Sequence, residues 1–225
     1  TDHSPRLRVA NGLSETRLRK QLGVVDAVND HLGGSFRLLK GIEVDILDDG
    51  GLDQIEELLA QLDFRVASVH SKLQMDAADM TRRMIAAVNN PFTNVLGHCT
   101  GRLVTGNRGV RGQSQFDARA VFEACAATNT AVEINARPER RDPPSALLAL
   151  ANEIGCLFSI DSDAHAPRCP RRSRLRRRRL SRRAAPRSDA RARHRLFGDA
   201  GDLDALIEEV RCPTTRRRYT LEQLL

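Results

Sequence analysis

Five short runs rich in Val, Ile and Phe alternate with five longer amphipathic segments along the first 165 residues. The runs are Leu38–Leu47, Phe64–Val69, Asn94–Gly97, Ala131–Asn135 and Leu157–Asp161. Their composition suits parallel strands buried on both faces. The helix candidates between them are Ser14–His31, Leu52–Leu62, Ala77–Asn89, Asp117–Thr128 and Ser145–Ile154. Ser14 is placed to cap the first of these, and Gly33-Gly34 to stop it. In Leu52–Leu62 the apolar residues 52, 55, 58, 59 and 62 follow a 3.6-residue period. Regular strand–helix alternation predicts an α/β fold with a parallel sheet, open or closed into a barrel.

The net charge of +7 does not describe this alternating part. Residues 168–195 hold 14 arginines against one acid, Asp189, so the rest of the chain is acidic overall. An acidic body argues for an ordinary enzyme rather than a protein that coats nucleic acid. The arginine stretch has no hydrophobic periodicity and repels itself, which predicts a disordered segment. The expected organisation is therefore a domain over 1–167, a basic segment over 168–198 and a short helical tail over 199–225. Dense arginine predicts salt-dependent, sequence-indifferent nucleic-acid binding through 168–195, without base stacking because no aromatic is interleaved. Such a run is also what an out-of-frame reading of GC-rich coding sequence gives. No apolar run reaches the roughly 18 residues of a membrane span, so no membrane partner and a cytoplasmic location are expected. Five cysteines without a C-x-x-C pair argue against a zinc finger, and Cys125 and Cys156 read as small buried apolar residues.

The histidines carry the chemical information. His70 directly follows the second strand candidate, His98 the third, and His165 lies four residues beyond the fifth. In parallel α/β folds the loops after strand C-termini form one rim, where active sites are built. Glu43 and Asp45 alternate with Ile42, Val44 and Ile46, which puts both acids on one strand face, and Glu133 repeats the pattern between Val132 and Ile134. A carboxylate inside an apolar strand is costly unless it is paired, hydrogen-bonded or metal-bound. Asp161, Asp163 and His165 add two acids and an imidazole within five residues. Taken singly, Asp161 and Asp163 also read as helix caps, Glu43 as a partner of Lys40, and Glu133 as structural. Together, histidine and carboxylate without cysteine suit Mn²⁺, Zn²⁺ or Fe²⁺. His31 and His194 read as solvated. Lys72, Arg102 and Arg137 follow these loops and are candidates for binding a phosphate, or else solvated surface charges.

Five ordered segments resemble the motifs of the PHP (polymerase and histidinol phosphatase) family. They are Thr1-Asp2-His3-Ser4, Lys40-Gly41-Ile42-Glu43-Val44-Asp45, Ser68-Val69-His70-Ser71, Gly97-His98-Cys99-Thr100-Gly101-Arg102 and Asp161-Ser162-Asp163-Ala164-His165. The likeness spans residue 1 to about 167 and is closest to the PHP domains attached to bacterial family-X DNA polymerases. It implies a distorted (βα)7 TIM-like barrel holding up to three divalent metals, Mn²⁺ or Zn²⁺. It implies metal-ligand roles for His3, Glu43, His70, His98, Asp163 and His165, with Glu43 bridging, and catalytic roles for Glu43, His70 and Asp163. The family opens with a His-x-His strand upstream of the Thr-Asp-His motif, so the resemblance implies that the first βα unit is missing here.

The implied activity is hydrolysis of phosphoester bonds by metal-activated water, on a DNA 3′ end or on a phosphorylated small molecule. The contrasting expectation is a truncated, non-catalytic remnant with a basic nucleic-acid-tethering tail.

Overall fold

The computed structural model describes residues 1–164 apart from Ser35, Asn107 and Arg108. Six strands form one sheet in chain order: β1 (Asp2–His3), β2 (Gly41–Asp45), β3 (Phe64–Ser68), β4 (Val95–Leu96), β5 (Ala131–Asn135) and β6 (Phe158–Asp161). Every neighbouring pair is parallel. The connections carry α1 (Glu15–Leu32), α2 (Glu56–Leu59), α3 (Ala77–Val88), α4 (Ala118–Thr128) and α5 (Ser145–Ile154). The parallel α/β class is thus as the alternation predicts. Among the described residues the sheet has six strands, and the complete (βα)7 barrel that the resemblance implies is not seen among them. The expected basic segment 168–198 and tail 199–225 lie outside the described residues.

Local chemistry starts and stops the helices where the sequence places the signals. The Ser14 hydroxyl accepts the Arg17 amide at 3.4 Å, and Gly33 ends α1 with φ 55°, a left-handed turn that glycine adopts without strain. Asp76 and Asp117 accept amides in the first turns of α3 and α4. Two expectations were too long. The run Leu38–Leu47 becomes strand only from Gly41, because Leu38 and Leu39 are 40% and 47% exposed. Leu38 is instead fastened to α1, its amide and carbonyl both bonded by the Asn29 side chain. The helix expected over Leu52–Leu62 is reduced to the single turn of α2.

Strand order decides where the site lies. Because the order never reverses, right-handed crossovers place all the helices on the same face of the sheet. That face carries Ile42, Val44, Ala67, Leu96, Val132, Ile134 and Phe158, which form the main core with Leu58, Met80, Met84, Val121 and Phe122. The other face has no helix to cover it and must curl on itself to be buried. It does so: the charge of Glu43 on β2 acts on Asp161 at the end of β6. In a flat sheet β2 and β6 would stand roughly 19 Å apart.

The concave face is divided along its length. The register aligns Glu43 with Val66 and Asp45 with Ser68, so these four share it. At its N-terminal end Val66, Val95 and Ala131 pack with Phe64 and Leu157 into a small apolar plug. Above the plug, at the C-terminal end, the same face turns polar with Glu43, Asp45, Ser68, Glu133, Asn135 and Asp161. Gly97 sits between the two zones, where a Cβ would collide with the Ser68 hydroxyl and lie 2.8 Å from Val66 Cγ1. We expect Gly97→Ala to cost about 1–3 kcal/mol by overpacking. Chemical denaturation of the full chain measures this, and an unchanged midpoint would show that the face is looser than described.

Candidate metal centre

Glu43 is the centre of the polar zone. Its Oε1 lies 3.0 Å from His98 Nε2 and 3.2 Å from His70 Nε2, and its Oε2 lies 3.5 Å from His3 Nδ1. The three imidazoles come from the ends of β1, β3 and β4, and register explains why they meet. His3 is aligned with Glu43 across β1–β2, while His70 and His98 lead the chain off β3 and β4 toward the same rim. The His3–His70 and His70–His98 ring centroids are 5.4 and 5.1 Å apart, both edge to face. Donor atoms of His3, Glu43 and His70 all lie within 4.8 Å of one another.

A second layer holds these groups. Asp45 Oδ1 takes the His70 backbone N–H and sits 3.2 Å from His70 Nδ1. With Nδ1–H held toward Asp45, the ring directs Nε2 at Glu43: a protonated Nε2 donates to that carboxylate, and a deprotonated one would offer its lone pair to a cation, as carboxylate–histidine pairs do in metal sites. Asp45 is itself fixed by its backbone amide donating to Ser4 Oγ at 2.9 Å, with Arg6 Nε 3.7 Å from its other oxygen. Glu133 accepts the His98 backbone N–H and, at 2.9 Å, an N–H of Asn135. The same Asn135 amide donates to Asp163 at 3.2 Å.

The other candidates are placed differently. Asp163, in a left-handed conformation with φ 47°, lies against Arg140 Nε at 3.1 Å and Arg137 Nη1 at 3.5 Å, not within the histidine group. His165 lies outside the described residues. Lys72 is paired with Asp48 at 2.7 Å and is 62% exposed at the rim. Arg102 spends Nε and Nη2 on the backbone carbonyls of Arg140 and Arg141, so its fork ties two loops together. His31 is exposed at the end of α1, and Cys125 and Cys156 are buried, as expected. Asp45 had been placed on the right face without a role. Arg6 and Arg140 had not been singled out, and nothing in their local sequence marks them.

No family model matches the chain. The chain is 41% identical over 165 residues to the DNA polymerase/3′-5′ exonuclease PolX of Bacillus subtilis, covering 73% of this chain and 28% of that protein. It is 30% identical over 136 residues to a "Probable phosphatase" of Caldicellulosiruptor saccharolyticus, covering 57% of this chain and 53% of the relative. The sequence likeness to these proteins is in line with the resemblance to the PHP family. The chain spans between about a quarter and two thirds of the curated relatives named first. A solved candidate histidinol phosphatase from Listeria monocytogenes shares the fold, with a TM-score of 0.52, 15% identity and coverage of 78% of this chain and 81% of that one. Among the described residues, no helix is long and apolar enough to cross a membrane.

The charges of the site are set by burial and by its neighbours. Burial pushes the Glu43 carboxyl up, but hydrogen bonds and charge from His70 and His98 outweigh it and hold it well below the usual range. Burial lowers the His70 imidazole, yet its bonds to Asp45 and Glu43 and their charges raise it from 6.5 to about 9. Glu133 goes the other way. Burial, then the charge of Asp161, push it well above the usual carboxylate range. Burial raises Asp163 too, but Arg140, His98 and Arg137 bring it below the ordinary value.

In the metal-free chain a His70 pKa raised on folding stabilises fully below pH 6.5, and that contribution is lost as pH rises through about 9. We expect the unfolding free energy to fall across this window, and His70→Gln to make the fall shallower. Urea titrations of the metal-free chain over a pH series check this; identical profiles for the two proteins would contradict it.

Proposed function

We propose that this PHP domain hydrolyses phosphoester bonds with divalent metals held by His3, Glu43, His70 and His98, together with Asp163 and His165. The observation that carries the reading is the buried Glu43 carboxylate with three imidazole nitrogens within 3.5 Å. Without metal, imidazole N–H groups satisfy this carboxylate; a divalent cation held among the same nitrogens and oxygens would take the place of those protons. The His98 Nδ1 atom is buried with no hydrogen-bond partner among the described residues, while Nε2 faces the Glu43 carboxylate. Nitrogen and carboxylate donors without thiolate fit Mn²⁺ or Zn²⁺.

Divalent metals bound there would supply Lewis acidity to a phosphoryl oxygen and lower the pKa of water. The chain's own residues do the rest. Asp45 fixes the His70 ring so that Nε2 would offer its lone pair to a cation held beside Glu43. The two oxygens of Glu43 face different histidines, which suits a bridging carboxylate. Arg137 and Arg140 stand beside Asp163 as cationic donors for a phosphoryl group, and Arg140 Nη1 is buried with no hydrogen-bond partner among the described residues. Lys72, exposed at the rim, serves the outer part of the substrate. A DNA 3′ end and a phosphorylated small molecule present the same phosphoryl chemistry to these groups, and the relatives' names contain both an exonuclease and phosphatases.

The test is metal content combined with Mn²⁺-dependent hydrolysis of an aryl phosphate by the full chain, beside Glu43→Ala and His70→Ala. Two or more metals per chain and turnover that both substitutions abolish are the expected result. A folded chain with at most one weakly held metal and no turnover would instead identify a non-catalytic remnant. Asp45→Asn, which keeps the shape but loses the charge behind His70, should lower metal affinity or turnover about 10–100-fold.

A further inference from the structure

Arg83 is an arginine in the wrong place for an ordinary helix. It lies on the buried side of α3 with Met80, Met84 and Ala87, and its side chain is 0% exposed. Desolvating a guanidinium is expensive, and an apolar residue of similar volume would often fill such a space at no loss of stability. All five of its N–H groups are nevertheless spoken for. Nε donates to the Leu47 carbonyl at 2.8 Å and Nη2 to the Ile46 carbonyl. Nη1 donates to the Ser71 carbonyl at 2.9 Å, Nη2 also to Ser71 Oγ at 3.1 Å, and Nη1 again to Met75 Sδ at 3.8 Å.

These acceptors belong to two loops. Ile46 and Leu47 follow Asp45 at the end of β2, and Ser71 follows His70 at the end of β3. The fork therefore clamps together the two chain segments whose side chains form the Asp45–His70 pair. Its rigid planar geometry fixes the separation of those segments, which a flexible lysine could not do. We infer that Arg83 is a positioning residue that sets the Asp45–His70 hydrogen bond, and through it the direction in which His70 Nε2 faces the metal site. As far as metal binding is concerned this rests on the function proposed above; the hydrogen bond itself does not.

The experiment compares the full chain with Arg83→Lys, Ser71→Ala and Met84→Ala. Ser71→Ala keeps the arginine and removes one of its acceptors, so it tests the clamp even if loss of the fork unfolds the chain. Met84→Ala destabilises the same helix without touching the clamp. Two readouts are taken: the His70 Nδ1–H resonance in the metal-free protein, and the Mn²⁺ dissociation constant. We expect the resonance in wild type and Met84→Ala, and its loss to solvent exchange in Arg83→Lys. Mn²⁺ binding should weaken about 10–100-fold in Arg83→Lys, less in Ser71→Ala, and not at all in Met84→Ala. The inference is overturned if Arg83→Lys and Ser71→Ala both keep the resonance, or if Met84→Ala loses affinity as much as Arg83→Lys. A wild type that binds no Mn²⁺ would sink the proposed function alone, because the resonance still decides the role of Arg83.

Discussion

A carboxylate buried inside a parallel sheet is the constraint around which this protein is arranged. Glu43 is on β2, on a face with no helix over it, where an unpaired charge would be prohibitively costly. Its compensation comes from imidazoles rather than from lysine or arginine. That choice matters chemically. An imidazole can give up its proton near neutral pH and then offer a lone pair, while a guanidinium never does so in a protein. The stabilisation that keeps Glu43 ionised is therefore of a kind that divalent cations can take over.

The sheet makes this arrangement possible by separating two tasks along one face. Parallel register stacks like positions side by side, so a plug of Val66, Val95 and Ala131 supports the floor while Glu43, Asp45, Glu133 and Asn135 form the level above it. Curling brings β6 within electrostatic reach of β2 and gathers these polar groups into a shared space. Several of the groups that hold this space together are main-chain or side-chain clamps between loops. Asp45 bonds the His70 amide, Glu133 bonds the His98 amide, Arg102 bonds the carbonyls of residues 140 and 141, and Arg83 bonds the loops after β2 and β3. The histidines can be placed accurately because the loops bearing them are tied to strands other than their own.

How much of this was legible in the sequence follows from how local each signal is. Glu43 was legible because a two-residue alternation with Ile42, Val44 and Ile46 is complete within five positions. His70 and His98 were legible because each abuts an apolar run that could only be a strand. β1 was not, since Asp2–His3 has no apolar pattern and becomes a strand only by pairing with Ile42 and Glu43. Leu38 and Leu39 misled because a leucine pair looks like strand, while the Asn29 amide that diverts Leu38 lies nine residues away. Arg83 and Arg140 could not be read at all. An arginine on a helix or in a loop is normally solvated, and what makes these two different is supplied by carbonyls and a carboxylate far along the chain.

The two ends of the site differ in a way that bears on how the groups could work together. Glu43 is neutralised by groups that can release their protons; Asp163 is neutralised by Arg137 and Arg140, which cannot. For Asp163 to act as a metal ligand it must share or exchange those arginine contacts. Each contact it relinquishes returns a charged N–H donor to the same space, beside Arg140 Nη1, which already lacks a partner among the described residues. An anionic phosphoryl group is the species that would satisfy those donors. Under the proposed function, metal ligation by Asp163 and anion capture by Arg137 and Arg140 would therefore reinforce rather than oppose each other, because each would remove the electrostatic reason for the other group to stay where it is.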